Sequence, residues 1–197
     1  WWSNYIVHLE RNPHFFDAPN VVLQNLYFYP TSDVNASSRK VMSREAGWAV
    51  RFASNQYREL QRALPGYPRV APYLVCNYYA FNVTRPPFND KRVCQALSMA
   101  YDRDFIAARI YGTGERPANA IVPPGIADYP GTARYSWSAL SMDQRRAQAQ
   151  SLLRAAGFGP NNPLRFEVAY RATSDNPRVA VVAQSNWHDI APWVTAE

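Results

Sequence analysis

At 197 residues, with 47% hydrophobic and 14% aromatic side chains, the chain has material for one sizeable domain or two small ones. Its net charge of +6 rests on scattered arginines that often neighbour acids, as in Glu10-Arg11, Arg58-Glu59 and Asp102-Arg103-Asp104. That pattern is a solvated surface and not the concentrated basic stripe of a nucleic-acid binder. No run of ~18 apolar residues is present to span a membrane, and Cys76 and Cys94 are too few for a disulfide scaffold. The chain opens on Trp1 without a signal peptide and is expected to be a processed or truncated piece, which leaves the compartment open.

In chain order, Tyr5–Glu10 alternates and predicts a strand that ends at the Arg11-Asn12-Pro13 turn. Val21–Tyr29 predicts a second strand, stopped by Pro30. Asp33–Ala46 has weak helical periodicity with Asp33 as its cap, and Trp48–Phe52 reads as a short strand. Ser54–Leu64 predicts a helix with Ser54 at the N-cap, Tyr57, Leu60 and Leu64 on one face, and Pro65-Gly66 behind it.

Arg69–Val75 and Tyr78–Val83 read as extended, and Arg85-Pro86-Pro87 breaks the pattern. Asn89 then caps a helix whose apolar face is Val93, Ala96, Leu97 and Ala100. Asp102 caps the next, with Phe105, Ile106 and Ile110 inward. Gly112–Tyr135 is an ordered crossing rich in turn chemistry. Ser141-Met142-Asp143-Gln144 is a capping box for a helix running to Gly157. Leu164–Tyr170 is a strand, Pro177–Ile190 a helix, and Trp193–Ala196 the start of another strand. Interleaved strands and helices place the fold in the α/β or α+β class with mixed pairing.

Little in this pattern makes or breaks bonds. His8, His14 and His188 lack metal-ligand spacing, and no GxSxG, P-loop or GxGxxG motif follows a strand. Gly112-Thr113-Gly114 is a turn and not a phosphate cradle. Cys76 and Cys94 could pair in an oxidising compartment if their Cα atoms came within about 7 Å; otherwise Cys94 is a small buried filler. The tyrosine-rich run Tyr73–Tyr79 suits binding. Tyr73 and Tyr79 share one parity and Tyr78 takes the other, so the rings either wall a peptide groove or pack on the neighbouring helix.

Several stretches, in this order, resemble one family. They are Leu9-Glu10-Arg11-Asn12-Pro13 with Phe15-Phe16, Ser54-Asn55-Gln56-Tyr57, Val70-Ala71-Pro72-Tyr73-Leu74 and Phe81-Asn82. Pro86-Pro87-Phe88-Asn89-Asp90 with Arg92-Val93, Gln95-Ala96-Leu97, Asp102-Arg103, Gly114, Pro117-Ala118, Pro123-Pro124 and Leu152-Leu153 with Ala155-Ala156-Gly157 complete the set. Together they resemble the extracytoplasmic solute-binding proteins of peptide ABC transporters, the oligopeptide- and dipeptide-binding family. That family is about two and a half times longer, and the match covers its middle section. The resemblance implies an α/β, two-lobed, mixed-sheet clamp of the periplasmic-binding-protein type, present in part: residues 1–74 end the first lobe and 75–197 begin the second. It implies a peptide ligand, permease subunits as partners, a monomer, no cofactor, no nucleic acid, no catalysis, and a periplasmic or extracytoplasmic, membrane-associated location.

Tyr73 and Tyr78 match tyrosines that line the family's cleft and are the ligand-binding residues implied here. Three departures accompany the match. Arg44-Glu45-Ala46-Gly47-Trp48-Ala49 replaces a Gly-Glu-Ile-Asp-like run, Cys94 stands where an arginine is common, and the chain stops after Trp193-Val194-Thr195. The isolated piece is therefore expected to hold peptide weakly or not at all. The same fold with a nickel, haem, sugar or opine ligand, and a sensor or structural paralogue without transport, are the alternatives.

Overall fold

Beyond the Arg11-Asn12-Pro13 turn the chain returns so that the two predicted strands come together. The computed structural model describes residues 5–71, 73–131 and 133–197, so Pro72 of the family-like stretch lies outside the described residues. The chain divides into two compact units, Trp1–Phe52 and Ala53–Glu197. In the first, β1 (Val7–Glu10) pairs antiparallel with β2 (Asn25–Phe28), setting Val7 opposite Phe28 and Leu9 opposite Leu26. His8 faces Tyr27 on the other side, with ring centroids 4.4 Å apart, and its Nε2 lies 2.8 Å from Asn25 Oδ1. The second strand is shorter than the predicted Val21–Tyr29 because only the four residues of β1 pair with it.

Helix α1 (Val34–Met42) starts where Asp33 predicts, the carboxylate accepting from the Asn35 amide at 2.8 Å. No strand forms at Trp48–Phe52. A β-propensity run becomes a strand only when a neighbour completes its ladder, and among the described residues none does. Trp48 and Val50 are instead exposed.

The second unit opens with a single 3₁₀ turn, Ser54–Gln56, that leads into α2 (Tyr57–Ala63). Ser54 does not cap this segment; Ala53 occupies that position and the Ser54 hydroxyl turns to a distant partner. The main core forms among α3 (Lys91–Ala100), α5 (Met142–Ala155) and α6 (Asn176–His188), with β3 (Leu164–Phe166) and β4 (Val194–Ala196) paired in parallel across α6. β3 is shorter than the predicted Leu164–Tyr170, although the Val168 amide still donates to Glu197 O at 2.7 Å.

On α3 the residues at i, i+3, i+4 and i+7, namely Val93, Ala96, Leu97 and Ala100, are all fully buried, as the periodicity predicts. Its cap is Asp90 and not Asn89: the Asp90 carboxylate accepts from the Arg92 amide at 2.9 Å. Both are good capping types, and the carboxylate that sits one residue before the first helical position takes the role. Arg92 then reaches across to donate to Ala155 O at 2.7 Å, tying the start of α3 to the end of α5.

Asp102 caps α4 (Arg103–Phe105) through the Phe105 amide at 2.9 Å, and the chain widens into a π-helical turn over Ile106–Tyr111, closed by Gly112 at φ 68°. Ile106 faces the core, but Phe105 is 46% exposed, so the predicted inward trio is not formed. The wider turn changes the angle per residue, which breaks the 3.6-residue phase used to predict it.

The Ser141 box forms as predicted. The Ser141 hydroxyl accepts from the Gln144 amide at 3.2 Å, and the Gln144 side chain accepts from the Ser141 amide at 3.0 Å. Ser141→Ala is expected to lower the unfolding free energy by ~1 kcal/mol, measured by urea denaturation of the full-length protein. A loss indistinguishable from zero would mean water replaces the cap.

Candidate functional site

The segment 73–83 carries both ligand-contact candidates, and it is held from beneath. Tyr79 packs edge-on against Tyr101 and Trp187, with centroids 5.9 and 5.6 Å away, while Phe81 leans on Phe88 at 5.1 Å. Cys76 Sγ points to Ala120 O at 3.9 Å, and a Cβ placed on Gly125 would lie 3.7 Å from Leu74 Cδ2. The crossing after Gly112 thus lies against the segment at two places.

Tyr73 and Tyr78 are the rings left out of this packing, at 83% and 71% exposed. The parity reading needs a correction. The segment joins no sheet among the described residues, and the Val75 amide donates to Tyr73 O at 2.8 Å, a tight turn that resets the alternation. Tyr73 therefore faces solvent while Tyr79, of the same parity, goes into the core.

Burial raises the Tyr79 hydroxyl above its usual range, with Tyr111 and Tyr170 adding to the effect, and burial likewise raises Tyr101. Both stay protonated across neutral pH and do not act as acids there. Burial also lifts the Cys94 thiol, which donates to Phe88 O at 3.3 Å. Cys76 and Cys94 are both free thiols, so the anticipated pairing is not formed. Each is engaged with a separate carbonyl.

A second polar cluster escaped the sequence reading. Asp175, 8% exposed at the start of α6, accepts from the Ser54 hydroxyl at 2.8 Å and from Arg178 Nη1 at 2.9 Å. Ser54 Oγ also lies 3.2 Å from Ile110 O, at the end of the π-helical turn. No local pattern links positions this far apart; the nearest signal was the family-like Ser54-Asn55-Gln56-Tyr57 run itself. Among the described residues no group of three or more His, Cys, Asp or Glu could hold a metal ion. His188 Nδ1 lies 3.2 Å from Val194 O, and the His14 backbone amide donates to Asn12 Oδ1, so the histidines serve separate local structure.

The family model for the bacterial extracellular solute-binding proteins, family 5, middle part, matches residues 1–197. This chain belongs to that family. Among its relatives is the periplasmic murein peptide-binding protein MppA of Escherichia coli, 33% identical over 89% of this chain and 33% of the relative. The solved structure of that murein tripeptide-binding protein superposes on 98% of this chain with a TM-score of 0.89 and 30% identity, covering 38% of the solved chain. The periplasmic oligopeptide-binding protein OppA of Salmonella typhimurium is 31% identical over 95% of this chain and 34% of its own length. The probable deoxycholate-binding periplasmic protein YgiS of E. coli is 31% identical over the same shares.

The family 5 assignment carries the fold with it: the chain holds part of the periplasmic-binding-protein architecture, mixed in helix and strand, as the sequence implied. Family 5 proteins are solute-binding proteins, and the relatives named here are periplasmic. The chain spans about a third of the length of the curated relatives it matches. No helix among the described residues is long and apolar enough to cross a membrane.

Proposed function

We propose that this chain is the middle section of an extracytoplasmic peptide-binding protein that delivers oligopeptides to the permease of an ABC importer. The observation that carries the reading is its 33% identity, over most of its length, to a murein peptide-binding protein. In this reading the protein is a non-enzymatic, periplasmic monomer. Residues 1–74 close the first lobe and 75–197 open the second, with Ser54 drawing the stretch after Phe52 onto the second unit.

Tyr73 and Tyr78 stand at the edge of the ligand cleft. Each offers an aromatic face and a hydroxyl, on a segment that Tyr79 and Phe81 anchor. A segment outside any sheet beside them suits a peptide, whose main chain can be bound with little regard to side chains. Burial between two lobes then supplies most of the affinity.

The test is calorimetric titration of the full-length protein with a mixture of di- to pentapeptides. Binding is expected, and Tyr73→Ala and Tyr78→Ala are each expected to weaken it by about 10-fold with an unchanged melting temperature. Absence of both heat and thermal stabilisation in the unsubstituted protein would end the peptide reading. A second reading, the same clamp holding a non-peptide solute, is favoured by the likeness to the probable deoxycholate-binding relative. Deoxycholate in the same titration separates the two: heat with it and none with peptides reverses the assignment.

A further inference from the structure

Arg145 lies in the first turns of α5 with its side chain turned inward, only 8% of the residue exposed. Arginine is rarely buried to this degree unless paired. Its Nε has no partner, and its sole ion pair among the described residues is with Asp104, whose Oδ2 stands 3.9 Å from Nη2 on a side chain that is 71% exposed. A charge-assisted hydrogen bond would be about 1 Å shorter.

The residue next to Asp104 adds a second cation. Arg103 lies over the rings of Tyr101 and Tyr135, 5.4 and 5.3 Å from their centroids, and donates to Ser98 O, Ser98 Oγ and Tyr101 O at 2.7, 2.9 and 3.1 Å. All three acceptors are neutral. Burial holds the Arg103 guanidinium below its usual range, opposed by Tyr135 and Tyr101, with the Arg145 charge a smaller influence in the same direction as burial. Among the described residues the buried Arg145 guanidinium thus has one distant, solvated carboxylate as its counter-charge. A buried charge costs several kcal/mol unless an opposite charge meets it with good geometry.

We propose that Arg145 forms a binding site for a small oxyanion, either an inorganic ion or the carboxylate of a small ligand. The planar guanidinium fork matches two oxygens at once, and the first turn of α5 adds a favourable partial charge. Asp104, exposed at the surface, is the one acidic partner that an entering oxyanion would displace among the described residues. The site lies wholly within the second unit and does not depend on the peptide reading.

The test is thermal unfolding of the full-length protein at constant ionic strength, titrated separately with inorganic phosphate and with acetate. A saturable rise of a few degrees is expected for at least one of them. A response to phosphate identifies a free inorganic ion, and a response to acetate alone identifies a carboxylate ligand. Arg145→Gln is expected to abolish the rise, Arg145→Lys to weaken it by removing the fork, and Arg154→Gln, on the exposed side of α5, to leave it intact. Broadening of the phosphate ³¹P signal, or of the acetate methyl signal, by the unsubstituted protein supplies a reading that needs no variant. No stabilisation and no broadening with either anion, or an equal rise in Arg145→Gln, overturns the proposal. The counter-charge would then come from another part of a longer chain.

Discussion

Trp187→Ala is expected to lower the unfolding free energy of the full-length protein by ~3–5 kcal/mol, the range for deleting a fully buried large aromatic. Trp187 is 2% exposed and contacts three parts of the second unit at once. Its indole Nε1 donates to Leu97 O at 3.0 Å, and its ring meets Tyr79 and Phe166 at 5.6 and 5.3 Å. Alanine would open a cavity at the meeting point of α3, α6, β3 and the 73–83 segment, and would leave the Leu97 carbonyl without this donor. Trp187→Phe keeps most of the volume and is expected to lose roughly half as much. Urea denaturation followed by near-ultraviolet circular dichroism measures both. An alanine loss below about 1 kcal/mol would mean the ring is not the keystone of this core. Because Tyr79 rests on the same indole, the alanine variant should also loosen the segment that presents Tyr78, seen as faster amide exchange there.

Asp175→Ala is expected to cost ~1–3 kcal/mol. The carboxylate accepts from Ser54 and from Arg178, and removing it takes the charged acceptor from both donors, leaving Ser54 only the Ile110 carbonyl. The side chain of Arg178 is 42% exposed, so water takes up much of its lost partner and holds the cost below that of a fully buried pair. Asn at this position keeps an acceptor for the Ser54 hydroxyl and should recover part of the loss. A double-mutant cycle with Ser54→Ala isolates the Ser54–Asp175 bond, with an expected coupling of ~1 kcal/mol; additive losses would show that the two residues act independently. A second readout follows from charge. The Tyr111 hydroxyl is raised first by burial and then by the Asp175 carboxylate, so Asp175→Ala should shift its ultraviolet titration to lower pH.

Both effects come from residues that the sequence presents very differently. The Trp187 helix was legible because its apolar spacing and the Asp175-Asn176-Pro177 start are local features, and the helix appears within two residues of its predicted ends. The Asp33, Asp102 and Ser141 caps were legible for the same reason: a cap is a contact with the next two or three residues. Partners for Ser54 and Arg103 were not legible, since their contacts depend on how distant turns come together. The Trp48–Phe52 run shows the limit from the other side: suitable strand residues without a neighbouring strand stay irregular.

For the proposed binding site, residue types pointed to the 73–83 segment, and family-like spacing pointed to Tyr73 and Tyr78 within it. Which rings face solvent was not available from alternation, because one tight turn at Leu74 cancels it. By itself, then, the sequence determined the helix starts at Asp33, Asp102 and Ser141, the α3 face, the family and the absence of a recognisable catalytic motif. Only the tertiary structure decided that Tyr79 is core while Tyr73 and Tyr78 are exposed, that Ser54 is bound to Asp175, and that Arg145 is buried with Asp104 as a distant ion-pair partner. The physical reason is range: capping and periodicity act within one or two helical turns, whereas burial and charge pairing depend on which segments the whole chain brings into contact.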